Sequence, residues 1–115
     1  MAFGSDWDVS SPDPLQGIEV AVTRMGPFGE TSTPFIPQER IPLEDAIRAY
    51  TLNSAWVNHL DDRTGSIEVG KLADLVVLKS NLFKIEPSQI SEAKVLLTLF
   101  GGKPVYGSFD DAGSE

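Results

Sequence analysis

The sequence predicts an α/β chain with helices first and a small antiparallel β unit behind them. Three observations predict it. A short apolar entry, Ala2-Phe3, runs into Gly4-Ser5-Asp6-Trp7-Asp8, and loop chemistry (Ser10-Ser11-Pro12-Asp13-Pro14) follows at once. Strand, glycine, acid, loop and helix is the order in which an α/β barrel presents a catalytic group at the C-terminal end of a strand. Apolar residues then recur at helical spacing up to about residue 60, and past residue 65 the period changes to that of strands.

The first helix starts at Asp13-Pro14, with an acid at the N-cap and proline at the first helical position. Leu15, Ile18, Ala21 and Val22 form one face of it, and it ends near Arg24; Gly17 interrupts the pattern. Gly26-Pro27, Gly29, Pro34 and Pro37 make Met25–Arg40 a loop, long enough to be functional or mobile. Pro42 restarts a helix with Glu44 and Asp45 in its first turn, where the helix dipole favours acids. Leu43, Ala46, Ile47 and Tyr50 are its expected buried stripe. A break over Thr51–Ser54 precedes a short helix carrying Ala55, Trp56, Val57 and Leu60, with Tyr50 and Trp56 read as core. Asp61–Gly65 is a turn.

Ser66-Ile67-Glu68-Val69 alternates as a strand does, and Ala73–Leu78 is a β-branched apolar run expected to be buried on both faces. Pro87–Ile90 reads as a helical turn. Lys94–Phe100 and Lys103–Tyr106 flank Gly101-Gly102, a hairpin. Three or fewer strands are marginal alone and call for a partner sheet. The expected organisation is 1–60 as a strand end with helices and a long loop, 61–108 as the β unit, and 109–115 as a disordered tail.

Composition bounds the function. The chain has 115 residues, 41% hydrophobic and 23% charged, with net charge −8 and no cysteine. That is a globular composition of one domain at most. The acidity argues against nucleic acid and anionic membranes, and the missing cysteines exclude disulfides and thiolate chemistry. No leader peptide or membrane span is read, so a cytoplasmic protein is expected.

The order of motifs resembles a known family. Gly4-Ser5-Asp6-Trp7, Ser11-Pro12-Asp13-Pro14, Ala46-Ile47-Arg48-Ala49-Tyr50-Thr51, the run Gly65–Leu78 and Gly101–Tyr106 closely resemble the C-terminal part of metal-dependent amidohydrolases. The match is to the amidohydrolase-3 branch, which includes N-substituted formamide deformylases, and it extends to about Tyr106. The resemblance implies the last strand and helices of a (β/α)₈ barrel, followed by the C-terminal part of a small β-sandwich. It also implies hydrolysis of a non-peptide C–N bond in a small amide, formamide or cyclic amide. Asp6 matches the aspartate of the final barrel strand, which in the family binds a divalent metal, zinc by expectation, and shuttles a proton from metal-bound water to the leaving nitrogen. A metal lowers the pKa of its water to about 7, and a carboxylate can take and return the proton. Trp7 and Asp8 are candidate substrate contacts; relatives typically carry proline at the position of Asp8.

The family's other ligands (a His-x-His pair, a lysine or acid and two further histidines) have no counterpart in the chain. Its one histidine, His59, reads as a surface residue. A catalytic zinc usually has three protein ligands. The isolated chain is therefore expected to hold no metal and to be inactive. The alternative reading, suggested by Met1 standing directly before the strand, is a non-catalytic module expressed as it stands. Either way, exposed strand edges and an uncovered helix face predict a homo-oligomer, with the β unit or the Val95–Tyr106 hairpin in the interface. Arg24 is explained by the dipole at its helix end, Asp74 by backbone hydrogen bonding at a turn, and Ser10 and Ser11 by turn geometry.

Overall fold

The computed structural model describes residues 1–113. Helix α1 spans Pro14–Thr23, and the Asp13 carboxylate caps it by accepting from the Leu15 amide. Its C-terminal end is held by two arginines rather than by a glycine. Arg24 closes the helix in the left-handed region at φ 60°, and its Nε donates to the Phe35 carbonyl at 3.0 Å. The Phe35 amide returns a bond to the Arg24 carbonyl, and the guanidinium lies 5.8 Å over the Phe35 ring. Arg40 Nε donates to the Thr23 carbonyl, one of the acceptors a helix end leaves over. The long loop is thus tied down at both ends and contains only two 3₁₀ turns, Pro27–Gly29 and Pro37–Glu39.

Helix α2 runs Leu43–Tyr50 and α3 runs Leu52–Val57, with the break confined to Thr51. In α2 the fully buried positions are Ala46 and Ala49, while Leu43, Ile47 and Tyr50 are half-buried around them. Gly17 has a packing reason: a Cβ there would stand 2.0 Å from the Tyr50 hydroxyl, so α1 approaches α2 only with the methyl group missing.

Strands β1 (Leu75–Leu78), β2 (Val95–Phe100) and β3 (Lys103–Gly107) form one antiparallel sheet in that order. Gly101 and Gly102 join β2 to β3 with φ 56° and 79°, the two positive values that a two-residue type I′ turn requires. The 3₁₀ turn Pro87–Glu92 packs on α1. The core runs through Ile18, Ala46, Leu82 and Ile90, so it joins the helices to the segment between β1 and β2. Glu19 is part of that junction: it is 2% exposed, and its Oε2 accepts from the Ser91 amide at 2.7 Å. Nothing in the local sequence marks this glutamate as buried.

Several expectations are corrected. Ala2–Gly4 enters no strand pairing, because a barrel strand needs neighbours that the described residues do not supply. Ser66–Val69 is likewise no strand; Gly65 and Gly70 turn the chain at either end with positive φ, and Ile67 and Val69 are exposed. β1 is not buried on both faces, since Val76 is 56% exposed. Trp56 is not core but 67% exposed, with Val57 beside it also open. Phe109–Gly113 forms a short helix, α4, where a disordered tail was expected; the remainder of that tail, residues 114–115, lies outside the described residues. The barrel and sandwich architecture itself is not displayed by a three-stranded sheet with four helices.

Asp74 acts as the sequence suggests. One carboxylate oxygen accepts from the Gly101 amide at 2.8 Å and the other from the Thr64 hydroxyl at 3.2 Å, so it fastens the hairpin to the turn before β1. Asp74→Ala is expected to cost about 1–3 kcal/mol in urea unfolding, and Asp74→Asn distinctly less because an acceptor survives.

Candidate functional site

The Asp6 segment is shaped by backbone hydrogen bonds on both sides. Downstream, the Val9 amide donates to the Asp6 carbonyl at 3.0 Å and the Ser10 hydroxyl donates to the Ser5 carbonyl at 2.7 Å. These bonds close a tight turn, in which Asp6 sits at φ 51°. Aspartate tolerates the left-handed region better than most residues because its short polar side chain can bond locally. Upstream, the Phe3 amide donates to the Ala49 carbonyl at 2.9 Å, and the Phe3 ring meets Tyr50 edge-on with centroids 5.4 Å apart.

Asp6, Trp7 and Asp8 are all exposed, as is Ser11, whose hydroxyl accepts from the Asp13 amide. Asp6 and Asp8 are therefore neighbours in one solvent-facing turn with Trp7 between them. His59 is exposed at the C-terminal end of α3 and lies outside this turn. Among the described residues no group of three or more histidine, cysteine, aspartate or glutamate side chains is arranged to hold a metal ion. The donor set present does not by itself fit a metal centre, and a carboxylate at Asp6 has at most one ligand's part in one.

A separate hollow lies elsewhere. A groove of about 820 Å³ runs between α2–α3 and β1, with Ile47, Leu52, Leu60, Ile67, Leu75 and Val76 in its walls. Asp6, Trp7 and Asp8 do not line it. At one end Lys71 Nζ donates to Ser66 Oγ at 2.6 Å and pairs with Glu68 at 2.8 Å. The Lys71 ammonium, with the Ser66 hydroxyl that also bonds to it, holds the Glu68 carboxyl below the usual range. That trio is a clip on an exposed turn.

The family model of amidohydrolases, in its third branch, matches residues 1–106. This chain belongs to the amidohydrolase family. The Arabidopsis thaliana protein LONG AFTER FAR-RED 3 is 42% identical over 106 residues, which is 92% of this chain and 18% of that protein. The Bacillus subtilis protein YtcJ is 33% identical over 91% of the chain and 20% of its own length. The N-substituted formamide deformylase of Arthrobacter pascens is 30% identical over 89% of the chain and 18% of the enzyme. The amidohydrolase chain therefore spans about a fifth of the length of the curated relatives it matches. No solved structure matches it. Among the described residues, no helix is long and apolar enough to cross a membrane.

Tyr50 belongs to the surroundings of the site through Phe3. Burial first, and the Asp13 carboxylate second, push its phenol above the ordinary tyrosine value. A raised folded pKa means that the neutral phenol is favoured in the native state, so stability is unaffected below about pH 10 and falls as pH climbs through the raised value. Thermal unfolding is expected to show a steeper loss of Tm above about pH 10 for the wild type than for Tyr50→Phe.

Proposed function

We propose that this chain is the C-terminal part of a metal-dependent hydrolase of non-peptide carbon–nitrogen bonds. In the complete enzyme Asp6 serves as a ligand of a divalent metal, zinc by preference, and carries a proton toward the leaving nitrogen. The remaining ligands and most of the barrel belong to polypeptide outside the chain. Trp7 and Asp8 face the small amide-type substrate. The reading rests on one observation: the amidohydrolase match spans residues 1–106 and takes in an exposed aspartate held in a fixed turn.

On its own the chain is inactive, because one carboxylate turn is not a metal centre. Metal analysis and an amidase assay on the purified chain test this. Stoichiometric, tightly bound zinc or measurable turnover overturns it.

A second reading is favoured by the exposed apolar surface. Ile67, Val69 and Val76 are open, and among the described residues β1 and β3 each have one edge without a strand partner. A stand-alone chain of this kind self-associates and has no turnover. Light scattering is expected to give a dimer or larger species at high concentration, and a clean monomer there counts against self-association. In the complete protein the same surface is covered from within.

A further inference from the structure

The backbone that leads into Asp6 has no strand neighbour among the described residues, yet it is anchored by a cluster 46 to 52 residues further along the chain. Ser54 Oγ lies between two carbonyls, 2.9 Å from that of Phe3 and 2.7 Å from that of Ala49, and its single proton can serve either. Asn53 Nδ2 donates to the Met1 carbonyl at 2.7 Å. The Phe3 amide is bonded to the Ala49 carbonyl, and the Phe3 ring stands against Tyr50.

All these groups lie at the α2–α3 junction, which is fixed in turn by two buried alanines. Ala49 has no exposed surface and Ala55 is 7% exposed. The break at Thr51 gives the cluster its geometry. With φ −116° and ψ −94° there, the chain leaves one helix and starts the next, so the last carbonyls of α2 and the side chains at the start of α3 face the same segment.

We propose that Asn53 and Ser54, with Tyr50 as a wedge against Phe3, are positioning residues for Asp6. They hold Met1–Phe3 in place, and the Asp6–Val9 turn holds the carboxylate at a set distance beyond. The catalytic relevance of this clamp rests on the proposed role of Asp6; its existence does not. Polar side chains suit 53 and 54 because the groups to be held are main-chain carbonyls, which accept hydrogen bonds.

Two measurements separate the clamp from the role of Asp6. In the purified chain, Ser54→Ala is expected to speed exchange of the Phe3 amide about five- to tenfold, with β2 amides unchanged and Ser54→Thr restoring protection. Asn53→Ala is expected to lower the order parameters of residues 2–6 below about 0.6 without moving Tm. Unchanged Phe3 exchange and unchanged order parameters overturn the proposal, as does a uniform loss of protection that includes β2. In a polypeptide carrying the remaining ligands, Ser54→Ala is expected to lower kcat about tenfold with KM unaltered, and Ser54→Thr to recover it. A fall shared equally by Asp6→Asn and wild-type backgrounds overturns the positioning role. Full turnover in Asp6→Asn with Phe3 exchange still dependent on Ser54 removes the reading of Asp6 and leaves the clamp standing.

Discussion

Asp6→Asn, in a polypeptide that carries the chain together with its remaining metal ligands, is expected to lower kcat by about 10²–10⁴-fold, the range that loss of a positioned proton carrier produces. The fold should not share in the loss. Asp6 is exposed, and its φ of 51° is one that asparagine also adopts readily. The bonds that shape the turn come from the Ser5 and Asp6 carbonyls, which the substitution keeps. The variant is therefore expected to unfold at the wild-type denaturant concentration, so that kinetics alone report the change. Asp8→Asn is the companion experiment. The proposed role of Asp8 as a substrate contact predicts a change in KM larger than that in kcat. Wild-type turnover in Asp6→Asn would defeat the assignment of Asp6.

Ile90→Ala is expected to have the largest effect on stability, about 2–5 kcal/mol from lost burial and the cavity left behind. Ile90 is 1% exposed and sits where the 3₁₀ turn Pro87–Glu92 packs on α1, so the helices cannot close over a smaller side chain without moving Ala46 and Leu82. For a domain whose whole stability is about 5–15 kcal/mol, that is a large part. Val69→Ala provides the contrast. That valine is fully exposed in the chain, and its truncation is expected to stay within about 0.5 kcal/mol. Urea midpoints for both variants check the pair. A large loss at Val69 in the purified chain would show that an association covers this surface.

The features legible in the sequence are those whose causes are local. The Asp13-Pro14 cap, the Gly101-Gly102 turn and the stop at Thr51 each depend on a few adjacent residues, and each stands within a residue or so of its expected place. Ser66–Val69 departs from its strand-like pattern because alternation states only that a strand would have one apolar face. It does not provide a partner to bond with. Trp56 is exposed for a related reason, since helical spacing places it on a face without saying what covers that face. The burial of Glu19 has no local signature because its partner is the main chain of a residue 72 positions away.

The candidate site divides the same way. Asp6 stands out as a candidate through the residues around it, while its left-handed backbone and its anchorage at Asn53 and Ser54 depend on long-range geometry. Their polar side chains at the start of a helix looked like a simple break.

The bond between Glu19 and the Ser91 amide also sets an order of events during synthesis. A ribosome must deliver residue 91, and then the further stretch needed to clear its exit, before the carboxylate of α1 has anything to bind. Until then α1 and α2 present an apolar face with a charge inside it, a surface that discourages premature collapse onto nearby helices. Helix α1 is made well before the partner that its buried carboxylate needs. Nascent chains halted before Ser91 should leave α1 open to proteases, and those halted well beyond it should protect that helix.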